Sequence, residues 1–269
     1  KDFKKGENFY FSGLFQYNSS LPLIKENKNF QNILKPKFSL KLSPNNTKDI
    51  STAETRLDVA NIYDLQRLTR NDTVEGGVSL SYGNDFTIFD KNNSRDYFSL
   101  KVANNLRFEE NDDLSKSNQL GAKTSNLFGE ITYNPNNFVK MKYNASTKNN
   151  IQDTVYENLI TELSLNNFVT SFDYLNENNT LIKNSYLSNT TKYTLNEYNN
   201  IQFSMRENKT KNLTEYYNLM YQYKNDCLAA SIEYNKDFYD DRDIKPTENI
   251  FFKLTIIPFG EASSPNLKD

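Results

Sequence analysis

The most constraining feature of the sequence is a period-two alternation of apolar and polar residues that repeats along most of the chain. In residues 98–108, for example, Phe98, Leu100 and Val102 share one parity, whereas Lys101 belongs to the other. Such alternation predicts β-strands with one apolar face. The alternating segments are roughly 9 to 14 residues long, enough for a tilted strand to cross a membrane, whereas soluble strands average about 5 to 6 residues.

The turn signals between these segments differ in length. Asn166-Asn167 and Lys224–Asp226 indicate tight turns, because Asn tolerates left-handed backbone, whereas Glu109–Lys123 and Phe238–Glu248 are long connections. Short turns on one rim and long loops on the other are typical of outer-membrane barrels. The sequence therefore predicts an all-β fold, an antiparallel transmembrane β-barrel wall of about 12 strands with long loops on one rim. A soluble β-sandwich is the alternative fold.

Composition excludes several function classes. The chain has no His and one Cys. It therefore cannot form a Ser-His-Asp or Cys-His catalytic site. A zinc site would also lack its usual ligands. The formal net charge of -2 provides no basic field, and we expect no nucleic-acid partner. The sequence contains no run of about 18 apolar residues, so it predicts no membrane-spanning helix. We expect no enzyme activity and no cofactor.

Two acidic clusters, at Glu109–Asp113 and Asp240–Asp243, contain carboxylates of the kind that bind calcium. Neither has the EF-hand spacing, and both lie where long loops are predicted, so solvated loop charge is the better interpretation. The pair Gly76-Gly77 indicates a bend entering a strand rather than a phosphate-binding loop. The sequence therefore predicts neither a metal site nor a catalytic site.

One stretch, from Glu54 to Gly83, breaks the strand rhythm. Long loops are usually either functional or disordered, and apolar anchors within this one favour an ordered loop. We expect it to fold into or across the barrel mouth, with its charges paired to one another. The apolar anchors are Leu57, Ile62, Leu65 and Leu68. The charged residues are Arg56, Asp58, Asp64, Arg67, Arg70, Asp72 and Glu75.

Two segments, Phe38–Gly83 and Cys227–Gly260, resemble the C-terminal barrel region of the LptD (OstA) family of lipopolysaccharide-assembly proteins. The two occur in the family's order, and the strands between them match it in pattern alone. In the first segment, the residues that match the family pattern are Asn61, Arg67, Asp72, Glu75, Gly77, Tyr82 and Gly83. The positions that depart from it are Gln66, Arg70, Thr73 and Ser79.

The resemblance implies a lipopolysaccharide translocon in the outer membrane of a Gram-negative bacterium. Its partners would be an LptE-like lipoprotein plug, an LptA-like periplasmic bridge reached through an N-terminal domain, lipopolysaccharide and outer-membrane lipid. The lipid would reach the outer leaflet through a lateral opening between the first and last strands. By the same resemblance, residues 1–269 are the C-terminal portion of the barrel domain, without the N-terminal jellyroll and the first strands.

The second segment contains two further candidate features. By resemblance, Cys227 is half of a possible disulfide to the N-terminal domain, with a free buried thiol as the alternative. The last predicted strand would close the barrel, and Pro258 would weaken its pairing, because proline lacks a ladder donor. The candidate gate-strand residues are Phe252, Leu254, Ile256 and Pro258. The alternative functions are a general outer-membrane porin or channel and a soluble β-sandwich binding module.

Overall fold

Strands form where the sequence alternates, and each is longest where the alternation is unbroken. The computed structural model describes residues 12–44, 47–68, 70–149, 152–238, 245–257 and 260–263. Within these residues no helix is long and apolar enough to cross a membrane; regular helix is limited to one 3-10 turn, η1 (Asn61–Tyr63). The strands are β1 (Phe15–Ser20), β2 (Leu23–Glu26), β3 (Phe30–Ser43), β4 (Gly77–Asp90), β5 (Arg95–Arg107), β6 (Leu127–Tyr133), β7 (Val139–Thr147), β8 (Thr154–Leu165), β9 (Phe168–Asn178), β10 (Lys183–Thr194), β11 (Asn199–Asn208), β12 (Leu213–Lys224), β13 (Leu228–Asp237), β14 (Thr247–Ile256) and β15 (Gly260–Ser263).

All described strands belong to one antiparallel sheet, in which each strand from β2 onward pairs with the next strand in sequence and β1 pairs with β3. β1 and β2 pair with the same edge of β3, so the 15 strands occupy 14 positions. This confirms the all-β antiparallel fold, and a single sheet excludes the two-sheet sandwich. Among the described residues no pairing joins the first strands to the last, and the sheet is consistent with a partial barrel wall.

The estimate of about 12 strands is too low, because two strands are too short for alternation to reveal them. β2 and β15 have 4 residues each. β15 also turns back onto β14 and pairs with Lys253–Ile256. The expectation that the segment ending near Pro258 is the last strand is therefore wrong: β14 is followed by one more strand. Pro258 itself lies outside the described residues.

The connections divide the sheet into a short-turn rim and a long-loop rim, as the turn signals predict. Because the strands are antiparallel, alternate connections lie at the same rim. The short-turn rim carries connections 27–29, 91–94, 134–138, 166–167, 195–198 and 225–227. The long-loop rim carries connections 44–76, 108–126, 148–153, 179–182, 209–212 and 238–246. The predicted asymmetry is confirmed, because each of these connections that is longer than five residues lies at the long-loop rim.

The two faces of the sheet differ in what covers them. We call the face that contacts connections 44–76 and 108–126 the inner face; on it, Ser39, Ser81 and Asn105 are fully buried. On the opposite, outer face the strands present large apolar side chains that remain exposed. Examples are Phe38, Tyr82, Phe172, Leu219, Ile232, Ile250 and Phe252. An apolar surface of this extent is unusual for a soluble monomer and fits contact with lipid.

The hydrophobic core lies between the inner face and the two long connections. Of the ten buried apolar residues that the structure describes, seven come from connections and three from strands. The seven are Ile50, Leu57, Val59, Ile62, Leu68, Leu114 and Leu120; the three are Ala103, Phe128 and Val155. The long connections are therefore packed elements of the fold rather than solvated loops.

Three of the four predicted anchors, Leu57, Ile62 and Leu68, are buried, but Leu65 is 56% exposed. The error has a local cause. The 3-10 turn ends at Asp64, whose backbone is extended (φ -69, ψ 147), so the three-residue spacing between Ile62 and Leu65 no longer places both on one side.

Candidate functional site: two loops packed on the inner face

The first loop (residues 47–76, without residue 69) contains a turn that Asp58 organises. Asp58 Oδ1 accepts hydrogen bonds from the backbone N–H groups of Ala60 and Asn61 at 2.8 and 2.9 Å. The Asn61 side chain accepts from the N–H of Asp58 at 2.9 Å and donates to the carbonyl of Arg56 at 3.0 Å. This Asx-type arrangement leads into η1 and seats Ile62 in the core. Asp58 thus bonds the backbone of its own turn.

Arg67 and Glu75 form a buried, bidentate ion pair at the centre of the first loop. Arg67 Nε and Nη2 donate to the two carboxylate oxygens of Glu75, each at 2.6 Å. Neither side chain is more than 3% exposed. Fork geometry of this kind is the strong form of an arginine–carboxylate contact. The guanidinium also donates to Ile62 O (2.9 Å), Ser81 Oγ (2.8 Å), Ser79 Oγ (3.1 Å) and Asn105 Oδ1 (2.9 Å).

Two further cations reach this cluster from the sheet. Arg107 on β5 donates from Nη1 to Glu75 Oε1 at 2.7 Å and from Nη2 to the carbonyl of Gly76. The buried Lys41 on β3 donates to the main-chain carbonyl of Asp64. Asp64 therefore contributes its carbonyl oxygen at this site. Arg67 and Arg107 share the carboxylate of Glu75, whereas the buried Lys41 ammonium is solvated by the loop carbonyls of Asp64 and Leu65.

The environment of Glu75 sets a pH dependence for the loop. Burial by itself raises the pKa of this carboxyl, but the Arg67 charge and hydrogen bonds, with Lys41 and Arg107, outweigh burial and lower the pKa to about 2 from an ordinary 4.5. A carboxyl with a lowered folded-state pKa stabilises the fold above its ordinary pKa and loses that contribution as pH falls through the folded value.

We expect the detergent-solubilised protein to lose stability as pH falls from 4.5 to about 2. In that interval an unfolded chain already binds the proton that folded Glu75 excludes. Thermal midpoints measured between pH 6 and pH 2.5 check this, with Glu75→Gln as the comparison. The variant should have a lower midpoint at pH 6 and a flatter pH profile below 4.5; parallel profiles would contradict the assignment.

Arg70 and Asp72 form an exposed pair at the surface of the first loop. Arg70 Nε lies 3.2 Å from Asp72 Oδ1, and Lys48 Nζ lies 3.1 Å from Asp72 Oδ2. All three side chains are about half exposed. Exposed pairs of this kind contribute little to stability, because water and salt screen them.

Arg56 connects the first loop to distant strands. Its Nη2 lies 2.6 Å from Glu177 Oε1 on β9, and its guanidinium carbon lies 4.4 Å from the ring centroid of Tyr156 on β8. Glu177 lies outside the charged stretch and was not among the predicted partners. The first loop therefore spans the inner face from β3 to β9.

The second loop (residues 108–126) is joined to the first by hydrogen bonds that involve backbone groups of the first loop. The bonds run from Ile50 N to Asp113 O (2.7 Å), from Ser115 Oγ to Ala53 O (2.5 Å) and from Ser117 Oγ to Thr55 O (3.0 Å). We call the two loops together the loop pair. The described residues contain no cluster of three or more His, Cys, Asp or Glu placed to hold a metal ion. The loop pair covers the inner face of β3–β9 at the long-loop rim.

Gly83 on β4 lies where Tyr63 of the first loop closely approaches the sheet. An added Cβ would clash with the carbonyl oxygen of Val102 and the hydroxyl of Tyr63. We expect Gly83→Ala to destabilise the fold by about 1–3 kcal/mol, because the obstructing Val102 atom is backbone and cannot rotate away. The free energy of unfolding in denaturant is the measurement.

The matched control for Gly83→Ala is Gly129→Ala on β6. The nearest atom to a Cβ at Gly129 is a carbonyl oxygen 4.0 Å away. That substitution should be tolerated. Equal losses in the two variants would show that lost strand flexibility, rather than the seat of the first loop, matters at Gly83.

The C-terminal candidate residues lie away from the loop pair. Cys227 is a free thiol in a tight turn of the short-turn rim, and because it is exposed, the alternative of a buried thiol is wrong. Phe252 and Ile256 lie exposed on the outer face of β14, with Leu254 half-buried between them. Pro258 lies outside the described residues.

Comparison with known protein families identifies the fold and its setting. A family model described as LptD, LPS transport system D, matches residues 9–213. This range contains the loop pair and all of β1–β11, but it ends before Cys227 and β14. A search of curated proteins finds no match. The family acts in lipopolysaccharide transport to the outer membrane. A match over more than half of the chain shows that this protein belongs to the LptD family.

Proposed function

We propose that residues 1–269 form the C-terminal portion of an outer-membrane barrel domain that delivers lipopolysaccharide to the outer leaflet through a lateral opening. One observation carries the proposal: the loop pair covers the inner face at the long-loop rim, while the outer face is apolar. A lipid head group that enters from the short-turn rim would meet packed protein ahead of it. Sideways exit between strands would then let the acyl chains enter the bilayer directly.

Lipid transfer of this kind needs no covalent chemistry. The family is a transport and assembly family, and we propose that this chain likewise has no catalytic role. A polar inner face can accept the charged sugar head group, while the apolar outer face matches the hydrocarbon region. Membership in the LptD family favours this function over the general porin alternative.

The inner face beyond β9 suggests where a protein partner would sit. The contacts of the loop pair described above extend from β3 to β9, and the inner-face side chains on later strands include partly exposed amides and hydroxyls. Examples are Gln202, Ser204, Asn218 and Asn235. We propose that an LptE-like lipoprotein packs here. An LptA-like periplasmic bridge would deliver lipid through an N-terminal domain of the full-length protein.

The proposed exit lies on the C-terminal side, at β14 and β15. Among the described residues β15 pairs with Lys253–Ile256 and extends no further along β14. A four-residue partner supplies few ladder hydrogen bonds, so this end of the sheet should open more readily than the long pairings of β3–β5. We propose Phe252, Leu254, Ile256 and Pro258 as the gate-strand residues.

A photo-reactive side chain at Phe252 tests lateral exit in cells that make the full-length protein. Phe172 on β9 is the matched control, because both side chains are 48% exposed on the outer face. Newly made lipopolysaccharide should crosslink at position 252 in preference to position 172. Equal crosslinking yields at the two positions would contradict exit near β14. If the full-length protein purifies without a lipoprotein, the proposed complex is contradicted.

Cys227 provides a separate test of the proposed domain organisation. Its exposure on the short-turn rim makes it accessible to a cysteine from the periplasmic side. We expect the full-length protein to show a mobility shift between reducing and non-reducing gels that Cys227→Ser abolishes. Identical mobility of the two proteins would leave Cys227 without a disulfide role.

A further inference from the structure

A row of charged side chains crosses the inner face of four strands directly beneath the loop pair. Lys35, Asp85, Lys101 and Glu130 are consecutive cross-strand neighbours on β3, β4, β5 and β6. Ala103 and Phe128, which the loop pair buries, lie two residues nearer the long-loop rim. The row is therefore a charged surface that adjoins the loop pair on the side of the short-turn rim.

Two more lysines join this row, and together they leave it positively charged. Lys37 Nζ lies 2.5 Å from Asp85 Oδ2. Glu130 binds both Lys101 at 2.6 Å and Lys142 at 3.0 Å. Lys35 has no ion-pair partner among the described residues. Four ammonium groups face two carboxylates, a formal excess of two positive charges. We call these six residues the charged row.

A cavity of about 250 Å³ adjoins the charged row at Lys37, where the middle of the first loop lies beside β1 and β3. Its lining consists of Asn18, Ser19, Ser20, Lys37, Phe38, Ala60 and Tyr63. The Lys37 ammonium lies 5.0 Å from the Tyr63 ring centroid. The Tyr63 hydroxyl is buried and has no hydrogen-bond partner among the described residues, which is costly unless something else satisfies it.

We propose that the charged row and the Tyr63 cavity bind a phosphate-bearing sugar of the lipopolysaccharide head group; this rests on the proposed function. Excess ammonium groups on an inner surface attract anions, because protein walls concentrate the field. The cavity is smaller than pockets for drug-sized ligands, so it suits one sugar unit rather than a whole amphiphile. Aromatic and hydroxyl groups beside the lysines supply the mixed contacts that a sugar ring needs.

The larger cavity on the second loop is a weaker candidate for the same ligand. It has a volume of about 300 Å³ and is lined by Glu110 and Asp112 with a single lysine, Lys116. Carboxylates repel phosphate, and this cavity lies at the long-loop rim, beyond the loop pair. The charged row is both oppositely charged to the head group and placed before the loop pair.

The sharpest variant is Lys35→Gln/Lys142→Gln. It removes the excess charge yet leaves Asp85 paired with Lys37 and Glu130 paired with Lys101, so no buried carboxylate is orphaned. The matched control is Lys140→Gln/Lys192→Gln, which removes two inner-face lysines outside the charged row. Heat-modifiable gel mobility verifies that both proteins assemble.

The readout is crosslinking from a photo-reactive side chain at Thr132, an inner-face position directly across from Lys142 of the charged row. The full-length protein is presented with lipopolysaccharide that carries its lipid A phosphates, or with the same material after enzymatic dephosphorylation. We expect the double variant to lose roughly tenfold in yield with the phosphorylated lipid, the effect of losing one charge-assisted contact or more. The control variant should crosslink like the wild type, and dephosphorylated lipid should crosslink weakly and equally in all three.

Two sets of outcomes overturn different claims. An unchanged yield in the double variant, an equal loss in the control, or an equal loss with dephosphorylated lipid would refute the charged row as a phosphate site. Those outcomes leave the proposed function intact if a photo-reactive side chain at Phe252, on the outer face of β14, still captures lipid in preference to one at Phe172. Absence of lipid adducts at both Thr132 and Phe252 would refute the proposed function itself.

Discussion

Replacing Arg67 with alanine is expected to destabilise the folded protein by about 3–5 kcal/mol, because it removes one partner of a buried ion pair and leaves the other charge buried. Glu75 would keep Arg107, but it would lose both bonds of the guanidinium fork. The hydroxyls of Ser79 and Ser81 would lose their donor as well. The free energy of unfolding and the fraction of heat-modifiable barrel in cells are the measurements.

Two further variants separate this effect from a general loss of charge. Arg70→Ala removes a positive charge from the same loop, but its pair with Asp72 is exposed, so stability should change little. Arg67→Lys keeps the charge but cannot form the fork, so it should recover only part of the loss. Lipopolysaccharide should still reach the surface in whatever fraction assembles. Normal assembly of Arg67→Ala with lost transport would instead make Arg67 a transport residue.

The architecture could be predicted because it depends on local patterns. Parity along each strand determines its apolar face, and Asn-rich pairs such as Asn166-Asn167 mark tight turns. A left-handed backbone at Asn166 (φ 50) is the conformation that this turn requires. The strand count was low because β2 and β15 are four residues long, shorter than the window over which alternation can be recognised.

The contacts of the stretch from Glu54 to Gly83 could be predicted only in part. Arg67 and Glu75 are eight residues apart in the same loop, and both match the family pattern. Asp72 also matches that pattern, yet it is exposed and bonded to Lys48 and Arg70. Sequence alone predicts neither burial nor the path of a long loop over a sheet. The burial of Glu75 and the exposure of Asp72 therefore could not be predicted.

The partners from distant strands were missed for a related reason. Lys41 and Arg107 are inner-face residues of β3 and β5, and alternation does predict that face for Arg107, the parity partner of Lys101. It does not say which loop will cover that face. Glu177 is separated from Arg56 by 121 residues. A pairing at that distance depends on the order of nine strands, which no local pattern encodes.

Phe128→Ala is expected to cost about 3–5 kcal/mol, the usual range for deleting a buried aromatic ring. Phe128 is 1% exposed and is the largest side chain that the sheet contributes to the core. On β6 it lies across from Ala103 and Ser146, both small, so neither neighbouring strand can fill the space the ring leaves. The loop pair would lose its main apolar contact with the sheet, and the cavity term would add to the lost burial.

Phe108→Ala is the matched control, because Phe108 begins the second loop but is 68% exposed. If apolar packing holds the loop pair on the inner face, Phe128→Ala should expose both loops to protease in detergent, and Phe108→Ala should not. If instead the Arg67 cluster alone holds the first loop, Phe128→Ala should release the second loop and leave the first protected. The cleavage pattern therefore distinguishes one cooperative unit from two, and the shared core of Ile50, Leu57, Leu114 and Phe128 favours one.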